Sequence, residues 1–131
     1  MKGNDVQLAP VAMFRELYAG ERDELPSIYD ALTSALEPDR PEILDYMRKS
    51  ARGLDVMESL PDLFEPGAYI EGAPSLHTDG TWIWRTDSLR YLIREPLALP
   101  VEFVEFVRAA GYEPTPIERS PELSAAVRAW W

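Results

Sequence analysis

The sequence predicts an α+β fold, with mostly short helices packed on a small antiparallel sheet that contains a hairpin at 75–85. Three observations predict it. Apolar stripes at helical spacing recur before residue 53 and again after residue 86. Between them the period drops to two, in "SLHTDGTWIWR". An Asp-Gly pair sits in the middle of that alternating run, and Asp-Gly is a preferred two-residue hairpin loop. Helices that flank a small sheet and cover one of its faces make an α+β architecture. Residues 1–8 are expected to form a loose tail, and 9–131 a single domain of ordinary size.

The elements follow in order. "PVAMFRELYAG" sets Val11, Phe14, Leu17 and Tyr18 on one helical face, with Gly20 as the stop. "LPSIYDALTSALEP" repeats the pattern with Ile28, Leu32, Ala35 and Leu36. "DRPEILDYMRKSARG" has Asp39 as cap, a stripe of Ile43, Leu44, Met47 and Ala51, and basic residues in its last turn, which suit the helix dipole. Prolines 26, 41, 100 and 121 each open a helix-period run, where the missing N–H costs nothing. "LDVMESLPDLFEPGA" reads as a short helix or turn, because Pro61 interrupts its apolar residues. "AYIEG" is a short extended stretch ending at Gly72.

A tight turn at Asp79-Gly80 pairs Thr78 with Thr81, His77 with Trp82, Leu76 with Ile83 and Ser75 with Trp84. Ser75, His77, Trp82 and Trp84 then share one face, and Leu76, Ile83 and Arg85 the other. Asp87 is the expected cap of "SLRYLIREP", with Leu89, Leu92 and Ile93 inward. "LPVEFVEFVRAAG" gives the strongest helix, on Phe103, Val104 and Val107. "SPELSAAVRAWW" begins with Ser120 as cap and repeats Leu123, Val127 and Trp130 at helical spacing.

Composition narrows the function. The chain has 131 residues, no cysteine, one histidine and a formal net charge of -10. No thiolate chemistry or disulfide is available, and a reducing cytosol fits. The excess of acid argues against direct nucleic-acid or anionic-membrane binding and favours a basic partner. "MKGNDVQLAP" lacks the apolar run of a signal peptide, and no stretch reaches the ~18 apolar residues of a membrane span. We expect a cytoplasmic protein.

Catalytic and cofactor motifs are missing. One histidine without cysteine does not make a usual zinc site, and Asp79 and Asp87 flank a strand ~25 Å long, so they do not converge locally. There is no Gly-x-Ser-x-Gly elbow and no glycine-rich phosphate loop. No cofactor, metal or catalytic residue is assigned. An enzyme would need a carboxylate pair held in a pocket.

Surfaces remain. Acidic residues fall in three stretches: Glu21, Asp23 and Glu24; Glu37, Asp39 and Glu42; Glu58, Asp62 and Glu65. Many sit at loops or helix starts, where a carboxylate also serves the dipole. Gathered on one face, they would steer a basic protein. The alternative site is the face carrying His77, Trp82 and Trp84, which would take a small ligand or a peptide if it were open.

An aromatic strand ending at Gly72, then "SLHTDGTWIWRTDSLRYLI", then "LPVEFVEFVRAAGY" resembles small bacterial immunity-protein-like domains. The resemblance covers residues 68–112. It implies a non-enzymatic immunity-type protein or inhibitor, whose basic partner is a toxin or a nucleic-acid-handling enzyme. It carries over no catalytic residue.

Overall fold

The chain enters its sheet as a parallel strand. The computed structural model describes residues 6–131, and within them β1 (Ala9–Pro10) runs beside β6 (Trp82–Arg85), pairing Ala9 with Trp82 and Pro10 with Ile83. β2 (Ala51–Leu54) and β5 (Leu76–Thr78) complete a four-stranded sheet in the order β1-β6-β5-β2. All its pairings except β1 with β6 are antiparallel, so the sheet is mixed, not purely antiparallel as expected. β3 (Ser59–Pro61) and β4 (Tyr69–Glu71) form a separate two-stranded antiparallel ladder. Four helices accompany them: α1 (Arg40–Lys49), α2 (Thr86–Arg94), α3 (Val101–Ala109) and α4 (Pro121–Arg128). The α+β class is as the sequence predicts.

The hairpin forms with its register moved by two. Leu76 faces Arg85, His77 faces Trp84, and Thr78 faces Ile83. The Asp79 side chain decides this. Its Oδ1 accepts from the N–H of Thr81 (2.9 Å) and of Trp82 (2.8 Å), and its Oδ2 accepts from the Tyr46 hydroxyl (2.6 Å). An Asp that binds its own following backbone favours a wider loop over the two-residue turn. A slip of two keeps every side chain on its expected face, so His77, Trp82 and Trp84 still share one side.

α3 lies over that side. Its Phe103 ring meets Trp82 (centroids 5.3 Å apart), Trp84 (5.9 Å) and Tyr46 of α1 (6.2 Å). Trp84, Phe103, Ile83 and Leu76 are fully buried. Each such side chain contributes roughly 1.5–3 kcal/mol of burial free energy. α4 packs on β2, with Val127 against the backbone of Gly53.

Three predicted helices are overturned or cut short. Over "PVAMFRELYAG" only Arg15–Tyr18 winds, as one 3-10 turn. The preceding N–H groups of Ala9 and Val11 bond instead to Thr81 and Ile83 carbonyls, and Ala12 takes a positive φ of 55°. Sheet pairing here outcompetes local helix propensity, although Val11, Phe14, Leu17 and Tyr18 are all buried as the stripe predicts. Over "LPSIYDALTSALEP" again only one 3-10 turn forms, Ile28–Ala31, because Leu32 bridges to Leu97 and Thr33 bonds the Pro96 carbonyl. Leu32 and Leu36 are exposed, not core. The third helix ends at Lys49, and Ala51 to Leu54 pair with β5 as a strand.

Smaller corrections follow the same logic. The stretch read as a short helix or turn contains β3, and Pro61 is the last residue of that strand, not the stop of a helix. Asp87 is not the cap of α2; the helix begins at Thr86, and Asp87 lies in its first turn, paired with Arg85. Tyr91 points inward and Ile93 outward, the reverse of what was expected at 93. α3 and α4 form as predicted, and the Ser120 hydroxyl accepts from the Leu123 N–H (3.0 Å). Of the expected tail, residues 1–5 lie outside the described residues, and Leu8 is buried in the core.

Candidate partner-binding site

His77, Trp82 and Trp84 do share one sheet face, and α3 covers its two tryptophans. Trp84 is 0% exposed, Trp82 is half-buried against Phe103 and Phe106, and His77 is buried opposite Trp84. This face is core, so the aromatic ribbon offers no open ligand platform. Neither indole N–H has a hydrogen-bond partner among the described residues. The His77 Nε2 lies 2.7 Å from the Thr86 hydroxyl. Burial pushes the His77 pKa down to about 4, helped by nearby Arg52 and opposed by Asp55, so the ring is neutral at pH 7.

The acidic residues separate into two groups. Five have arginine partners. Glu24 lies 3.7 Å from Arg22, and Glu37 lies 3.4 Å from Arg40. Asp39 accepts two 2.8 Å hydrogen bonds from Arg108 and one of 2.6 Å from the Tyr112 hydroxyl. These bonds, Arg108's first, hold the Asp39 carboxyl well below the usual carboxylate range. Asp62 is buried; its Oδ1 accepts from the N–H of Phe64 (2.8 Å) and of Glu65 (3.1 Å), while Arg94 lies 3.5 Å from its Oδ2. Glu65 pairs with Arg94. Asp39, Asp62 and Glu65 thereby join distant segments of the fold, whereas the pairs of Glu24 and Glu37 are local.

Among the described residues, the other four, Glu21, Asp23, Glu42 and Glu58, have no basic group within salt-bridge reach. Glu21 and Glu58 come from different stretches, yet they line one hollow of about 330 Å³ with Tyr18, Leu60, Arg85 and Trp131. Backbone geometry positions both. Ala19 (φ 53°) and Gly20 (φ 84°) turn the chain sharply after the 3-10 turn, and the Glu21 N–H bonds the Tyr18 carbonyl. Glu58 directly precedes β3, and its carbonyl accepts from the Ala73 N–H.

The hollow is acidic despite Arg85. That guanidinium is buried and closes a bidentate pair with Asp87, both bonds 2.9 Å, so its charge is neutralised from behind. It also stacks over Tyr18, 4.7 Å from the ring centroid. Trp131 stays 57% exposed at the rim. Carboxylates beside an open indole form a receptor for a cationic side chain. The two glutamates are among the acidic residues the sequence singles out, whereas Tyr18, Arg85 and Trp131 are neighbours it does not suggest. The terminal Trp-Trp pair is the signal that could have pointed there, since one ring of two is easily left outside a core.

Other features carry less chemistry. A hollow of about 530 Å³ is lined by Arg52, Asp55, Glu71, Ser75 and Thr86 among others, but Arg52 pairs with Asp55 and the Ser75 hydroxyl is engaged by Val56. Among the described residues no group of three His, Asp or Glu side chains is placed to hold a metal ion, and no helix is long and apolar enough to cross a membrane. No protein-family model, no curated protein and no solved structure matches this chain.

Proposed function

We propose that this is a non-enzymatic, cytoplasmic binding protein of immunity or inhibitor type, which docks a basic partner protein through the hollow between Glu21 and Glu58. The partner's class is a toxin or a nucleic-acid-handling enzyme, since such proteins present lysines and arginines to their own targets. One observation carries the reading: two carboxylates from separate acidic stretches share a hollow, have no basic partner among the described residues, and stand beside an exposed tryptophan. A lysine or arginine entering there meets both carboxylates and the face of Trp131. Asp23, in the same loop as Glu21, adds to the field that steers the approach.

Affinity capture from cells of the source, with the wild-type chain and an E21K/E58K double variant side by side, tests this. The wild type should retain a protein of net positive charge that the variant does not. Stopped-flow association of that protein should slow steeply with salt for the wild type and weakly for the variant. Equal capture by both, or an association rate indifferent to salt, would refute the reading.

A further inference from the structure

Met57 is 98% exposed, more than any other large apolar side chain among the described residues. A single exposed apolar residue is ordinary on a protein surface. Its setting is not ordinary, because the fold fixes the backbone on both sides of it. Ser75 is buried, and its hydroxyl accepts from the Val56 N–H at 2.9 Å and donates to the Val56 carbonyl at 3.1 Å. The Ala73 N–H donates to the Glu58 carbonyl at 3.2 Å. The turn at 72–75 thus clasps residues 56 and 58 and holds Met57 out between them. A backbone ordered beforehand loses less freedom when a partner covers it. The unbranched thioether side chain adapts to the apolar surface it meets.

The clasped ridge stands between two hollows. Glu58 lines the one of about 330 Å³ that it shares with Glu21 and Trp131. Met57 lines the one of about 530 Å³, together with Glu71. The charges of both hollows add in one direction. Arg52 is paired with Asp55, and Arg85 with Asp87. Glu21, Glu58 and Glu71 are left with no basic group in salt-bridge reach among the described residues. Met57 is therefore an apolar point among unneutralised carboxylates. Two copies of this chain meeting at the ridge would set those carboxylates against one another, which disfavours a second copy as occupant.

We infer that this ridge reads a basic segment of the partner protein that has apolar residues at its centre. The apolar side chains cover Met57. A lysine or arginine on one side enters the hollow of Glu21 and Glu58, and one on the other side meets Glu71. Ser75 is a positioning residue, which acts on Met57 through the Val56 backbone. The inference rests on the function proposed above and specifies its partner. Carboxylates alone would accept any basic surface, whereas Met57 favours one with an apolar centre inside a charged rim.

The test uses the full chain and two dye-labelled peptides of equal charge, read by fluorescence anisotropy. One is acetyl-Lys-Lys-Leu-Leu-Lys-Lys amide, and the other has serine in place of both leucines. The wild type should bind the leucine peptide about fivefold to tenfold more tightly than the serine peptide. M57S, a substitution at an exposed site, should bind both peptides with the wild-type affinity for the serine one, and its circular dichroism should stay unchanged. S75A should lose most of the leucine preference while it holds the serine peptide as the wild type does, and its Val56 amide should exchange faster. E71K should weaken both peptides. E21K/E58K should also weaken both, yet keep the preference for leucine. Equal binding of the two peptides by the wild type overturns the inference and leaves the reading of the Glu21–Glu58 hollow standing. So does a leucine preference that M57S or S75A retains, or an E71K variant that binds as the wild type does. Binding that E21K/E58K leaves unchanged refutes the hollow instead, even where the leucine preference persists. Binding of neither peptide by the wild type overturns both.

Discussion

Arg85 and Asp87 form a bidentate ion pair almost wholly out of water, with Nε to Oδ1 and Nη2 to Oδ2 both at 2.9 Å. The two residues flank the junction where β6 becomes α2, so the pair fixes the angle between strand and helix. The two members respond differently to losing their partner. A guanidinium cannot discharge at any ordinary pH, whereas a carboxyl can take a proton. D87L leaves a buried cation and should cost about 3–5 kcal/mol in urea denaturation. R85M should cost less, because burial already pushes the Asp87 pKa up to about 6, and its penalty should shrink at pH 5. Equal penalties at both pH values would contradict this.

Stability should change little between pH 6 and 4, because two groups oppose each other there. His77 is held neutral in the folded chain, with its pKa near 4 against an ordinary 6.5. The unfolded chain takes that proton first, so acidification through this window removes stability. Asp87 does the reverse: its folded pKa of about 6 stands above the ordinary 3.8, so the folded chain takes the proton first and acidification adds stability. H77Q should unmask the second trend and become more stable between pH 6 and pH 4.5. The gain over that range should be about 1–2 kcal/mol, since one proton bound by the folded chain and not by the unfolded one is worth ~1.4 kcal/mol per pH unit. A variant whose urea midpoint tracks the wild type across that range would refute the account. Asp39, held low by Arg108, adds its own acid loss only as the pH falls through its ordinary 3.8.

Gly53 is required by space, not by backbone conformation. A Cβ there would lie 3.0 Å and 3.1 Å from the two methyl carbons of Val127 on α4. G53A should cost about 1–3 kcal/mol, the usual penalty of overpacking. V127A in the same chain should return part of that loss, which a double-mutant cycle of thermal or urea melts will measure. Additive penalties would show that the two sites do not touch.

Tryptophan fluorescence should divide unevenly. The chain has four tryptophans, and Trp131 is the exposed one, while Trp84 is sealed beneath α3. W131F should therefore remove most of the acrylamide quenching, and W84F should leave it nearly unchanged. Quenching carried mainly by Trp84 would mean that α3 does not cover the sheet. Binding of a basic partner at the hollow should protect the same Trp131 signal.

How much of this was legible in the sequence differs element by element. α3 and α4 were readable because their stripes, caps and stops agree locally: Phe103, Val104 and Val107 in one, Ser120, Pro121 and Val127 in the other. The sorting of His77 with Trp84 and of Leu76 with Arg85 was readable because alternation survives a two-residue slip. β1 and β3 were not. Ala9 pairs with Trp82, far along the chain, and a strand of two or three residues has too few side chains to show a period. The candidate site was half legible: the carboxylates of Glu21 and Glu58 could be named, but not their meeting.

By itself, the sequence determined the chemistry on offer: no thiol, a single imidazole, a large excess of carboxylate, an alternating aromatic ribbon, and the class of fold. Tertiary structure decided which of those groups remain available. It packed Trp82 and Trp84 against Phe103, buried His77 beside Thr86, matched Asp39 and Asp62 with arginines from distant segments, and left Glu21, Glu58 and Trp131 facing water. The physical reason is that a residue's type is local, whereas its desolvation and its ion partners depend on what the rest of the chain packs against it.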